Sequence, residues 1–227
     1  MKKNKLLVST LILGGMFATA ASASAAEGDF VPTEENTAGE ITINAPDTQT
    51  PVDPEGGEGD GEGTGQIGLL TLDYVPSFNF GEIEISSSTQ TVTNTSINPY
   101  VQTTDVRGTG EGWSLSLEIS PFTSGTEATG IETLKGAIVT ISGLTSSVTD
   151  TDSTSTAPTS GTDLTFAVGE AAASNVLLNS GMNSGMGTWV SKFEKAGEQS
   201  VSLTIPSGNK AGTYTSDFNW TLGNAPA

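Results

Sequence analysis

Gly212-Thr-Tyr-Thr-Ser-Asp-Phe-Asn-Trp-Thr-Leu-Gly-Asn-Ala-Pro226 is the stretch from which the fold can be read. Tyr214, Phe218, Trp220 and Leu222 fall on even positions, and Thr213, Thr215, Asp217, Asn219 and Thr221 on odd ones. Side chains two apart share one face of a strand. The stretch therefore reads as one long strand with an aromatic face and a polar face. Gly112–Ser120 repeats the pattern, with Trp113, Leu115, Leu117 and Ile119 on one face and Ser114, Ser116, Glu118 and Ser120 on the other. Both carry Trp-x-Leu. The expectation is that these two strands lie side by side and that the other strands pack around them.

Working outward, Leu69–Tyr74 and Gly81–Ser86 alternate, and Thr89–Thr95 and Val101–Asp105 are short and rich in Thr and Val. Further strands are expected at Leu134–Ser142, Leu164–Val168, Asn175–Leu178, Thr188–Phe193 and Ser200–Ile205. Asn98-Pro99, Ser124-Gly125, Ser160-Gly161 and Ser207-Gly208-Asn209 mark turns between them. Strand formers dominate and helical spacing is scarce, although Ala171–Leu178 has the makings of one helical turn. The Ser/Thr/Asp tract from Ser146 to Thr162 reads as a long surface loop. Many short strands with Gly/Ser/Thr turns predict an all-β fold over 67–227, a single β-sandwich, Ig-like or barrel-like, with long Ser/Thr-rich loops.

Two segments precede it. Residues 1–26 combine Lys2, Lys3 and Lys5, an apolar run from Leu6 to Ala20 that is too short to span a membrane comfortably, and small residues at Ala23-Ser24-Ala25. This is the pattern of a secretory signal peptide. Residues 27–66 hold 11 acids and no base, with several prolines and the tract Glu55-Gly-Gly-Glu-Gly-Asp-Gly-Glu-Gly63. Low hydrophobicity with high net charge predicts a flexible, solvated segment, in which Ile41-Thr-Ile43 is a candidate edge strand. No Leu-Pro-x-Thr-Gly sorting signal precedes the C-terminus. The expectation is an exported protein, released or retained without a covalent anchor.

Charge and missing residue types exclude several functions. Without the signal, Arg107, Lys135, Lys192, Lys195 and Lys210 face 26 acids, a net charge near −21. Nucleic acid and anionic membrane surfaces require a basic footprint that this chain lacks. With no His and no Cys in the chain, histidine triads, thiol nucleophiles, disulfides and the usual zinc ligand sets are ruled out. Glu82 and Glu84 share a strand face at about 7 Å, a separation carboxylate hydrolases use. Solvated surface charge is the simpler account of them, and neither an enzyme nor a cofactor is expected.

The tryptophans are the strongest candidates for function. As core residues, Trp113 and Trp220 would only hold the sandwich together. At the edge of a groove, an indole stacks on a sugar ring or fills a partner's pocket. The residues alone leave both readings open.

Five segments resemble the WxL-domain surface proteins of low-GC Gram-positive bacteria. They are Leu72-Asp-Tyr-Val-Pro-Ser-Phe-Asn-Phe-Gly81, Asp105-Val-Arg-Gly-Thr-Gly-Glu-Gly-Trp-Ser-Leu115, Leu134-Lys-Gly-Ala-Ile-Val-Thr140, Gly185-Met-Gly-Thr-Trp189 and Tyr214-Thr-Ser-Asp-Phe-Asn-Trp-Thr-Leu222. The signal-like start and Pro51-Val-Asp-Pro54 fit as well. The resemblance implies non-covalent binding to peptidoglycan or an associated wall glycan, and assembly with co-secreted or membrane-anchored surface proteins. It also implies roles in adhesion or envelope stress. Trp113 and Leu115 match the first motif and Trp220 and Leu222 the second. Together with Trp189 they form the expected wall-binding set. Gly223-Asn224 departs from the polar Ser/Thr-Asp pair more usual in the family.

Overall fold

The computed structural model describes residues 34–227, so the signal-like start and the first part of the acidic segment lie outside the described residues. Residues 34–42 carry no regular structure and are exposed. From Ile43 the chain is all β. Its strands are β1 (Gly61–Gly63), β2 (Leu70–Pro76), β3 (Gln90–Thr93), β4 (Tyr100–Asp105), β5 (Trp113–Ile119), β6 (Thr123–Thr126), β7 (Gly130–Thr133), β8 (Ile138–Ile141) and β9 (Thr145–Val148). There follow β10 (Thr159–Ser160), β11 (Leu164–Ala167), β12 (Ala173–Ser180), β13 (Gly187–Lys192), β14 (Glu194–Lys195), β15 (Glu198–Gln199), β16 (Val201–Ile205) and β17 (Phe218–Gly223).

Three antiparallel sheets surround one core, in the orders β1-β2-β4-β13-β9, β10-β12-β5-β17 and β11-β8-β16-β3. The arrangement is a β-sandwich. Each sheet is open, so the barrel-like variant is not the one adopted among the described residues. The two Trp-x-Leu strands are neighbours: Phe218 lies opposite Ile119, Trp220 opposite Leu117 and Leu222 opposite Leu115. Trp113, Leu115, Leu117 and Ile119 are completely buried, while Glu118 between them is exposed. Alternation has thus set the inward face of β5.

Several expectations are corrected. The long terminal strand shrinks to β17, with a single bridge at Thr215 ahead of it. Ala171–Leu178 is no helical turn, because Ala173–Ser180 pairs with β5 along its length. A bulge at Val176/Leu178 lets the adjacent Leu177 and Leu178 both turn inward, and this is what breaks the two-residue period there. The Ser146–Thr162 loop contains β9 and β10, whose Ser and Thr side chains are hydrogen-bonded to the sheets rather than free. Gly81–Ser86 is not a strand, nor is Ile41-Thr-Ile43, whose isoleucines are exposed.

The glycine-rich tract is not a solvated linker over its second half. Residues 53–63 lie as a strap across the outer face of β2 and β4. Gln102 grips it from below: its side-chain N–H donates to the Asp53 carbonyl at 2.9 Å, and its Oε1 accepts from the Glu55 N–H at 2.7 Å. Asn98 donates to the carbonyls of Gly56 and Glu58, the Tyr100 hydroxyl donates to the Gly57 carbonyl, and β1 pairs with β2. Beneath the strap Tyr74 and Tyr100 stack, with ring centroids 4.1 Å apart and planes 10° from parallel. Glycine is required here for closeness. A Cβ on Gly56 would stand 2.5 Å from the Tyr100 ring, and one on Gly61 would press on the Val75 carbonyl and stand 2.6 Å from the Tyr74 hydroxyl. Composition suggested flexibility, whereas the absence of side chains is what lets the backbone seat on the rings. With the strap on one side and the core on the other, all six residues of β4 are buried.

Two outcomes follow. Gly61→Ala should lift the strap and lower stability by about 1–3 kcal/mol, seen as a lower denaturation midpoint and faster amide exchange over 56–63. Burial holds both tyrosine hydroxyls protonated above the ordinary tyrosine range. Their raised folded pKa values contribute stability that is complete below the unfolded value near 10 and is lost as pH rises through the folded values. Denaturation midpoints should therefore fall from about pH 9 to about pH 11, and fall less in a Tyr74→Phe/Tyr100→Phe chain.

Candidate functional site

The three tryptophans occupy different environments. Trp113 on β5 has no exposed surface, and its indole N–H donates to the Gly185 carbonyl at 3.0 Å. Gly185 has φ of +66°, and a Cβ there would stand 2.7 Å from the indole nitrogen. The Gly185-Met-Gly187 turn thus serves to receive this ring. Trp189 on β13 is 4% exposed and donates its indole N–H to the Met186 carbonyl at 3.0 Å. Leu115 is fully buried. In this conformation none of these three side chains is placed to touch a ligand.

Trp220 is different. β17 is the last strand of its sheet, so its inward row lies at the margin of the core. Phe218, Trp220 and Leu222 are each half-buried and pack against the core cluster. The Trp220 indole packs against Phe193 with centroids 6.0 Å apart and planes 72° from parallel. The rest of the ring faces a groove.

That groove, about 1270 Å³, opens where two sheets end. Val92 of the edge strand β3 and Phe218 and Trp220 of the edge strand β17 form part of its wall. The connection from Ser77 to Ser88 and the loop from Pro206 to Asp217 form its flanks. A train of rings lines the floor. Phe78 meets Phe193 and Phe218 at 5.1 Å each, and Phe122 meets Phe80 at 6.0 Å and Phe218 at 6.4 Å. Tyr214 stands across the groove with its hydroxyl donating to the Lys210 carbonyl. The Phe78–Phe218 pair is tilted and the other three are favourable edge-on contacts. The volume exceeds that of an ordinary small-molecule pocket.

Sequence reasoning missed Phe78, Phe80, Phe122 and Tyr214 as groove residues. Tyr214 and Phe218 share the inward face with Trp220, which was the available signal. Nothing in the sequence revealed that the face ends at a sheet margin. Glu82 and Glu84 lie exposed at the groove's mouth, on a segment without strand pairing. Three cations are ion-paired: Arg107 with Asp105 at 2.8 Å, Lys195 with Asp163, and Lys210, on the groove's flank, with Glu132. Arg107 also donates to the carbonyls of Gly112 and Asn224, fastening the entry to β5 to the chain beyond β17.

A family model described as the WxL domain, surface cell wall-binding, matches residues 31–226. This chain belongs to that family. No curated protein and no solved structure matches it. The WxL match begins well before the strap, so the family unit includes the acidic tract as well as the sandwich. As a WxL protein the chain sits at the cell surface in association with the wall, and the family's described activity is binding. Of the two Trp-x-Leu pairs, the first is interior and the second borders the groove.

Substitution should separate the two motifs. Trp113→Ala should cost about 3–5 kcal/mol, as expected for an interior aromatic truncation. Trp220→Ala should cost roughly 1–2 kcal/mol, because only part of its surface is removed from water. Urea denaturation of the two variants would check this, and equal losses would place Trp220 in the core.

Proposed function

We propose that the domain holds the wall non-covalently by stacking Trp220 and its aromatic neighbours on sugar rings of peptidoglycan or an associated wall glycan. One observation carries this reading: the indole of the second Trp-x-Leu motif lies on the wall of a long aromatic groove. Flat apolar faces favour the C–H faces of sugars, and the Tyr214 hydroxyl and groove backbone supply polar contacts. Trp113, Leu115, Trp189 and Leu222 act from behind, by fixing β5, β13 and β17. Retention of this kind serves adhesion or tolerance of envelope stress. A second reading, in which the same face meets a sister surface protein, is favoured by the unpaired segment at the groove's mouth.

The full exported chain, mixed with purified peptidoglycan and sedimented, should be retained. Trp220→Ala should lose about tenfold or more in affinity when assayed well below its melting temperature, which its stability loss lowers by only about 2–8 °C. Retention unchanged in that variant would place the glycan contact elsewhere.

Charge makes the wall reading more specific. A chain near −21 is repelled by anionic wall polymers. Retention should strengthen as salt rises to about 0.15 M, where charges are screened over about 8 Å. It should also strengthen as pH falls toward the ordinary carboxylate range near 4. Release on adding salt would mean that ionic attraction, not stacking, holds the chain.

A further inference from the structure

We infer that Gly81–Ser86 is a docking edge for an extended strand of a partner protein, in which apolar residues alternate with Lys or Arg. This site lies at the mouth of the groove and is separate from the Trp220 wall, so it goes beyond the glycan reading.

The segment has the sequence of a strand and the surroundings of none. Glu82, Ile83, Glu84 and Ile85 alternate. Yet residues 82–85 neither give nor receive a backbone hydrogen bond among the described residues. The chain is pinned on both sides of them. Before them, the Asn79 N–H donates to Asn94 Oδ1 at 3.0 Å and to Ser96 Oγ at 2.9 Å, while the Asn79 carbonyl accepts from the Thr95 N–H at 2.7 Å. After them, Gln90 enters β3 and pairs with Ile205. The unpaired stretch is therefore held between fixed points. Ile83 is 43% exposed and Ile85 67%. An alternating edge with free N–H and C=O groups is the template used in recognition by strand addition.

Charge selects the occupant. Glu82 and Glu84 have no ion-pair partner among the described residues. A second copy of this chain, itself near −21 without the signal-like start, would set carboxylate against carboxylate. A neutral glycan would leave the regular two-residue spacing of isoleucines unused. A basic, alternating strand satisfies the backbone groups, covers both isoleucines and pairs both acids.

The test uses the full chain and a synthetic peptide of about seven residues alternating Val and Lys, a typical strand length. Binding should slow amide exchange over 82–86 by about tenfold or more. A Val/Glu peptide and a same-composition peptide with its valines in one block should bind about tenfold more weakly. Glu82→Lys/Glu84→Lys should reverse the preference between the basic and acidic peptides. Ile85→Pro removes one exposed backbone donor and should abolish the protection without changing the melting temperature. Peptide binding should persist in Trp220→Ala while wall retention falls, so the two readings fail separately. The inference is overturned if the blocked peptide binds equally well, or if protection falls on β3 or β17 instead. It is likewise overturned if the same amides are protected by self-association.

Discussion

Strand β5 is flanked on both sides, by β12 and by β17, and its four inward side chains, Trp113, Leu115, Leu117 and Ile119, are shut off from water. A chain without cysteine has only such burial and its hydrogen bonds to oppose the entropy of ordering. The Trp113 indole completes the arrangement by bonding to Gly185 in the turn between β12 and β13. That bond ties two sheets through one side chain. The position of Trp220 is set by β5: β17 pairs with it, and that register decides which residues border the groove.

The two Trp-x-Leu motifs are alike in sequence and different in situation because a sheet has an interior and a margin. An interior strand must bury its apolar row on one face while both of its edges are paired. A marginal strand keeps one edge free and exposes the flank of the same row. The groove, its ring-lined floor and the unpaired Gly81–Ser86 segment all lie along that margin. Among the described residues, this margin combines apolar area with backbone groups that have no partner.

Much of the fold was legible because alternation reports a half-buried strand directly. The inward faces of β5 and β17, their adjacency and most strand positions follow from it. It failed where a residue's partner was not local. Gly81–Ser86 alternates as well as any strand, but pairing is a property of neighbours, and among the described residues none pairs with it. Leu177 and Leu178 break the period because a bulge turns both inward. The glycine tract deceived for another reason: composition scales count missing side chains as missing burial, whereas Gly56 and Gly61 are seated on tyrosine rings supplied from elsewhere. At the site, Trp220 was legible as a candidate. Its difference from Trp113 was not, since sheet order decides it.

Leu117 and its opposite number Trp220 are about a hundred residues apart along the chain. For an exported polypeptide this separation has a kinetic meaning. The greasy row of β5 emerges about a hundred residues before β17 and must wait, uncovered on one flank, until that strand has crossed the membrane. Long-range closure of this sort is slow, and a bare flank in the meantime invites aggregation. The dense negative charge of the leading segment would then act as a solubilising escort during transit, keeping neighbouring nascent molecules apart until the closing strand arrives.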